Sequence, residues 1–547
     1  MKKAIAVFMA IICLISYCFS GCSLFDNGIG KNFYYPVYSD TDSFDPQIAD
    51  DEVSKIVAQN CFEGLVKFDE EGKIVPGVAL KWEISDDKMT YTFHLDENAR
   101  WFISSEAKEV LSNYTKNDFN NKVTAEDFVF GFKRYFDPET KAKADSRLYL
   151  IKNAPEVASG SKSLSELGIS AIDTKTLQIR LSKPSDTFLE ALTMISTMPC
   201  REEFFLATKG RYGLETKYLI CNGPFYLSDR SDGNYIQMTK NEDFVNSENV
   251  YPANVFLYVN TDEDSRINKL ESGVYDACKI NFEQKQNIQD KKITYKNYDN
   301  SVWGFCFNCL QEDFSNTDLR VAVCQSIDTS LLSQPEYVTG PAQGFIPGAC
   351  TVGDSKYRSI AGKANFIEFN EESAREHFQS ALNKLGKTKI NATLICSEDI
   401  KDDMRRLVQN WQKNFGMSFK ITIEGLTVDE IEERISNDDF DIAFYCINTP
   451  YAFASDFLNM FTENGGYKLF NFTSLKYLTA VEEASQAVDT EDMVKKCAEA
   501  ESVLMKSGVM YPVFSENGYL ALAESVRDIY LSHAGTIPVF EGGKRVD

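Results

Sequence analysis

A mixed α/β fold containing a parallel sheet follows from three features of this 547-residue sequence. Beyond residue 365, strand-like and helical stretches alternate with short connections, the pattern of repeated βαβ units. Hydrophobic residues at 43% and charged residues at 25% are ordinary for a globular chain, which excludes wholesale disorder. At roughly 150 residues per domain the length provides several domain-sized units and a large core.

The chain opens with Lys2 and Lys3 and carries no further charge until Asp26. Ala4 to Phe19 is apolar but short of the roughly 20 residues that a bilayer span needs. It reads as a secretory signal. Its end, Phe19-Ser20-Gly21-Cys22, resembles the bacterial lipobox, with Phe19 where leucine is usual. That resemblance makes Cys22 the diacylated first residue of the mature chain. Ser23 to Lys31, with Asn27-Gly28 and Gly30, reads as a tether.

Asp51 to Phe62 has an acidic first turn and places Val53, Ile56 and Val57 on one helical face. Thr90 to Leu95 alternates like a strand. Thr124-Ala-Glu-Asp127 forms a near capping box for a helix bearing Phe128, Val129, Phe132 and Tyr135, which Asp137-Pro138 ends. Asn370 starts a helix with Ala374, Phe378, Leu382 and Leu385, closed by Gly386. Ile390 to Cys396 is strand-like. A helix from about Asp399 carries Met404, Leu407, Val408, Trp411 and Phe415, up to Gly416. Phe419 to Ile423 (strand), Val428 to Ile435 (helix) and Phe440 to Ile447 (strand) complete a βαβαβ unit. Such sheets bind ligands beyond the carboxyl ends of their strands, so the segment after Ile447 is a place to seek a site.

Composition narrows the function. With 57 Lys+Arg against 81 Asp+Glu the net charge is −24, unlike a protein that grips nucleic-acid phosphates. The three histidines, His94, His377 and His533, lie far apart, which argues against a histidine-built catalytic centre or metal cage. Gly-x-Ser-x-Gly, His-Glu-x-x-His, a Walker loop and the dinucleotide fingerprint are absent. Carboxylate pairs such as Asp438-Asp439 and Glu70-Glu71 occupy polar, turn-like sequence and read as solvated faces rather than a glycosidase pair. Neither a cofactor nor a metal is expected. Of 14 cysteines, eleven remain after the signal and Cys22: Cys61, Cys200, Cys221, Cys278, Cys306, Cys309, Cys324, Cys350, Cys396, Cys446 and Cys497. An odd number cannot all pair within one chain, and most stand where valine or alanine would fit, so they read as buried small hydrophobes.

Several blocks resemble the extracellular solute-binding proteins of ABC importers, in particular the oligopeptide/dipeptide-binding family. The strongest spans Val75 to Thr140: VPGVALKWEISDDKMTYTFHLDENARWF, then VTAEDFVFGFKRYFDPET. The family's "DG" after the tryptophan is replaced by Ile103-Ser104 and an insertion. Phe44-Asp45-Pro46, Phe62-Glu63-Gly64-Leu65-Val66, Asn222-Gly223-Pro224-Phe225-Tyr226-Leu227, Phe307-Asn308, Leu319-Arg320-Val321-Ala322, Ser326-Ile327-Asp328 and the Pro341 to Pro347 run resemble further family blocks, in the family's order.

The resemblance implies a two-lobed, hinged, type II binding-protein fold of the large peptide-binding subclass, with an extra subdomain in the first lobe. Mapped onto this chain, 1–21 is the signal peptide, 22–31 the lipidated tether, and 32–66, 200–295 and 510–547 the first lobe. Residues 67–199 form the extra subdomain and 296–509 the second lobe, with crossings near Tyr298 and Tyr511. It also implies a monomer held by its lipid on the outer face of the bacterial cytoplasmic membrane. There it would capture a peptide or other small organic solute, without altering it, for an ABC permease and its ATPase. A peptide-pheromone sensor without transport shares the fold, and a secreted carboxylate-dependent hydrolase is the remaining alternative.

Candidate cleft residues follow from position: Tyr34 and Tyr35 on the first strand, Trp303 and Phe305 entering the second lobe, and Tyr445, Cys446, Ile447, Asn448, Tyr451 and Phe453 beyond the last parallel strand. In peptide-binding members an aspartate of this loop pairs with the peptide's α-ammonium. Aligned on Phe457-Leu458, Pro450 takes its place, and proline offers neither charge nor N–H. The expected ligand is therefore a blocked or modified peptide, a non-peptide solute such as a glycan, or a peptide anchored elsewhere, with Asp456 as the candidate anchor.

Overall fold

A computed structural model describes residues 32–546 apart from 116–118, 143–146, 186–187, 354, 449–452, 463–470, 488 and 533–536. The signal, Cys22 and the tether lie outside the described residues. Along Asn32–Val37 the residues Phe33, Tyr35 and Val37 turn inward. This strand pairs in parallel with Asn254–Val259, and Tyr235–Lys240 and Phe225–Ser231 continue the four-stranded sheet antiparallel. Helix Glu52–Cys61 is capped by the Asp51 carboxylate, which accepts the Ser54 N–H at 2.8 Å. Its expected stripe, Val53, Ile56 and Val57, is fully buried.

A second four-stranded sheet runs Ala79–Ile84, Thr90–Leu95, Thr176–Arg180, Ile169–Asp173 in spatial order, all antiparallel. Beside it, helix Ala125–Phe136 starts from the capping box, in which Asp127 Oδ2 accepts the Thr124 N–H at 2.8 Å. The same carboxylate accepts Trp101 Nε1–H at 3.0 Å and pairs with Arg201 at 3.0 Å. One buried acid thus joins the tryptophan of one block to the helix start of the next. The insertion after Trp101-Phe102 forms helix Ser105–Ser112, with Ser104 as its cap.

The third sheet joins the two lobes. Its spatial order is Ala277–Ile280, Met510–Leu522, Thr294–Phe307, Ile442–Asn448, Ile390–Ser397, Phe419–Leu426. Ile390–Ser397 is parallel to both Phe419–Leu426 and Ile442–Asn448, and helices Lys401–Phe415 and Val428–Ser436 connect them. This is the expected βαβαβ unit. Val302, Cys306, Ile395, Ala443 and Ile447 face one core, and Phe305, Phe307, Leu394, Ile442 and Phe444 the other. Burial on both faces is why these strands read as continuous apolar runs.

Thr294–Phe307 and Met510–Leu522 are the hinge strands. Their first-lobe halves pair Thr294–Tyr298 with residues 522–518, and their second-lobe halves pair Ser301–Cys306 with residues 516–510. Between the halves the register breaks at 299–300 and at Asn517. The second crossing therefore falls beyond the expected Tyr511. Tyr511 already pairs with Phe305 and packs in a second-lobe core, whereas Tyr519 to Leu522 belong to the first. Of the eleven cysteines, nine are buried and Cys309 and Cys446 are half-buried.

Candidate functional site

At the carboxyl end of Ile442–Asn448, three hinge-sheet strands bring polar and aromatic side chains together. Ser301 lies between Asn448 and Glu516 in the register, and Trp303 between Cys446 and Phe514. Trp303 stacks on Phe444 at 5.7 Å and tilts against Tyr337 at 5.2 Å. Its Nε1–H donates to Glu516 Oε2 at 2.5 Å, and the Cys446 thiol reaches the same oxygen at 3.9 Å. The Ser301 hydroxyl donates to Asn448 Oδ1.

Burial pushes the Glu516 carboxyl above its ordinary value, against the two donors that favour its charged form. Burial, with Glu516 beside it, also raises the Cys446 thiol well above its usual range, so it stays protonated and is a poor nucleophile. Tyr337 is raised by burial and by Asp399, Glu516, Cys446 and Asp403 around it, and its hydroxyl has no hydrogen-bond partner among the described residues. A half-buried carboxylate whose hydrogen-bond donors are neutral attracts cations. Among the described residues no group of three or more His, Cys, Asp or Glu is placed to hold a metal ion.

The structure thus gathers Trp303, Cys446 and Asn448 from the expected set. Others it places elsewhere. Tyr35 is buried beneath the first sheet against Phe540, Phe305 is enclosed by Phe444 and Trp411, and Ile447 faces a core, so these three are packing residues rather than lining. Strand alternation sends Tyr35 to the face opposite Tyr34. Tyr34 is half-buried on the outer face of the first sheet, stacked on Phe256 at 5.4 Å. Tyr445 is half-buried against a second-lobe core. Tyr451 and Pro450 lie outside the described residues. Glu516 and Tyr337 were not anticipated; a lone acid in the apolar run MYPVFSENGYLAL was the available signal for the first.

Asp456 is corrected as an amine anchor. Arg147 of the extra subdomain pairs with it at 2.9 Å, and both side chains are largely buried. The Arg147 guanidinium also lies 4.4 Å from the Phe453 ring, which meets Phe68 at 5.8 Å. Lys183 of the subdomain hydrogen-bonds Gln486 of the second lobe. Phe453, Asp456 and Gln486 therefore form part of a clasp between subdomain and second lobe.

The model of the family described as bacterial extracellular solute-binding proteins, family 5, matches residues 73–468. The chain belongs to this family. As a family 5 member it is 24% identical over 515 residues to the protein named dipeptide-binding protein DppE of Bacillus subtilis, covering 93% of this chain and 91% of that one. Among solved structures, Listeria monocytogenes OppA bound to peptide superposes with a TM-score of 0.71 at 22% identity, over 95% of this chain and all of the other. The Escherichia coli murein tripeptide binding protein MppA gives 0.71 at 21% identity over 95% and 99%, and its unliganded open form 0.64 at 20% over 95% and 98%. The family 5 fold of this chain is the two-lobed α/β one. No helix among the described residues is long and apolar enough to cross a membrane.

Proposed function

We propose that this chain is the solute-binding lipoprotein of an ABC importer for a peptide or peptide-like solute. The single observation that carries the reading is the pair of long strands that pass between the lobes, with an acid and aromatic side chains on their second-lobe half. Family membership and the named peptide-binding relatives support it. The lobes would divide at 299–300 and 517, swing about those positions and close on the solute. The closed form would be the one a membrane permease and its ATPase accept. The protein performs no chemistry on the solute and works as a monomer on the outer face of the cytoplasmic membrane. Its anchor is the lipid on Cys22, since two acyl chains hold where one is marginal.

Two measurements test this. Small-angle scattering should report a smaller radius of gyration on adding the solute, with the solute recovered intact. A solute consumed, with product in solution, would replace the importer reading by an enzyme. Cys22→Ala should lose lipid labelling and membrane retention; a labelled, retained variant would refute the anchor.

A further inference from the structure

Several carboxylates of this chain that are withdrawn from water are paired with arginine. Asp45 meets Arg134, Asp127 meets Arg201 at 3.0 Å, Asp276 meets Arg545 at 2.8 Å, Asp456 meets Arg147 at 2.9 Å, and Glu501 meets Arg358. Glu516 has no such partner. It is half-buried in the hinge sheet, its hydrogen-bond donors are the neutral Trp303 N–H and Cys446 S–H, and it has no ion pair with any described residue. Taking a carboxylate out of water without a cation is costly unless something else supplies the charge. Trp303 turns its N–H edge to the carboxylate and packs its ring against Phe444 and Tyr337, so a cation there would be met by the carboxylate itself. The Tyr337 hydroxyl, buried and without a partner, marks unmet hydrogen-bonding capacity in the same niche.

The geometry points to Glu516 as the receptor for a protonated nitrogen of the solute, held by the carboxylate with the Tyr337 hydroxyl beside it. This rests on the proposed peptide-binding function. It departs from the loop aspartate that peptide-binding members use, which here is replaced by Pro450. The nitrogen is either a peptide's α-ammonium or a lysine or arginine side chain. Glu516 stands one residue before the break at Asn517, so a cation seated there sits at the point about which the lobes turn.

Isothermal titration of the full mature chain with defined probes separates the two sources. The probes are tetra-alanine with a free or acetylated amino terminus, and acetylated tetrapeptides with lysine, arginine or norleucine at each position in turn. At least one cationic probe should bind about tenfold to a hundredfold more tightly than its neutral match. Glu516→Gln should bring the pair within about threefold while leaving the neutral probe unchanged. Preference for the free amine identifies the α-ammonium; preference for lysine or arginine identifies a side chain. A cationic preference that survives Glu516→Gln, or equal binding of matched probes by the unaltered protein, overturns the assignment. A thermal melt of the unliganded protein reads the carboxylate independently of any peptide. Glu516→Gln should raise the melting temperature, by about 1 °C or more, because it removes an uncompensated charge. A lower melting temperature would make Glu516 a structural residue and overturn the assignment. If no probe binds while the melt rises, it is the peptide reading that fails.

Discussion

Asp318, in the first turn of helix Thr317–Gln325, serves three partners on helix Glu371–Leu385. The Ser380 hydroxyl donates to it at 2.7 Å, Lys384 pairs with it, and His377 Nδ1 lies 3.4 Å away. Burial alone would push its carboxyl up, but Lys384, Ser380 and His377 outweigh burial and hold it below the usual carboxylate range. A depressed carboxyl stabilises the fold above its unfolded-state pKa, about 3.9 for aspartate, and that contribution is lost as pH falls through the folded value. Asp318→Asn should therefore lower the urea midpoint at pH 7 and flatten its fall towards pH 3. An unchanged acid slope would show that the pairing does not survive in solution. At this scale the sequence was a partial guide. Nine buried cysteines were legible from their valine-like surroundings, whereas Asp318 and Asp456 look alike as surface-seeking acids until their partners are known.

Hinge strand Thr294–Phe307 contains one position where only glycine fits. A Cβ on Gly304 would lie 2.5 Å from the Tyr511 carbonyl oxygen and 3.1 Å from Pro512 Cα, both backbone atoms that cannot rotate aside. The register between the two strands shifts at this same point. Gly304→Ala should destabilise the protein by about 1–3 kcal/mol, the range for overpacking a tight site, measured by equilibrium unfolding. A midpoint unchanged within error would mean the strands do not approach so closely. Elements with strong local signals were readable in advance: helix Glu371–Leu385 runs from the Asn370 cap to Gly386, which takes φ 66°. The helix expected from Asp399 begins instead with a 3-10 turn at Glu398–Ile400 before Lys401–Phe415, because helix starts shift by a residue or two with local hydrogen bonding.

Across the whole molecule, the Arg147–Asp456 clasp joins the extra subdomain to the second lobe. Both side chains are removed from water in this arrangement, at 3% and 13% exposure, so deleting one partner penalises the arrangement in which the two sides meet. Breaking a buried pair typically costs about 3–5 kcal/mol, whereas in an open form water would solvate the survivor. Arg147→Met should shift the population towards the open form and enlarge the radius of gyration at a given solute concentration. Arg147→Met combined with Asp456→Leu should restore much of the closure. A compact Arg147→Met protein would show that the clasp does not govern the opening equilibrium.

Local pattern by itself determined the βαβαβ unit, its helix caps and the inward stripes, because hydrophobic periodicity and capping act within one element. The ordered family blocks determined membership and the two-lobed fold. Their reach also explains the link between Trp101 and Asp127, which lie in adjoining blocks and share a hydrogen bond. Only the tertiary structure decided which of the candidate aromatics are packed away. Tyr34 and Tyr35 differ by one residue and Trp303 and Phe305 by two, yet one of each pair is packed into a core. Only it decided, too, that Asp456 faces an arginine while Glu516 does not. Glu516 is brought to Cys446 across a separation of 70 residues and to Trp303 across 213. A charge's partner is set by which strands become neighbours, and no local stretch of sequence encodes that.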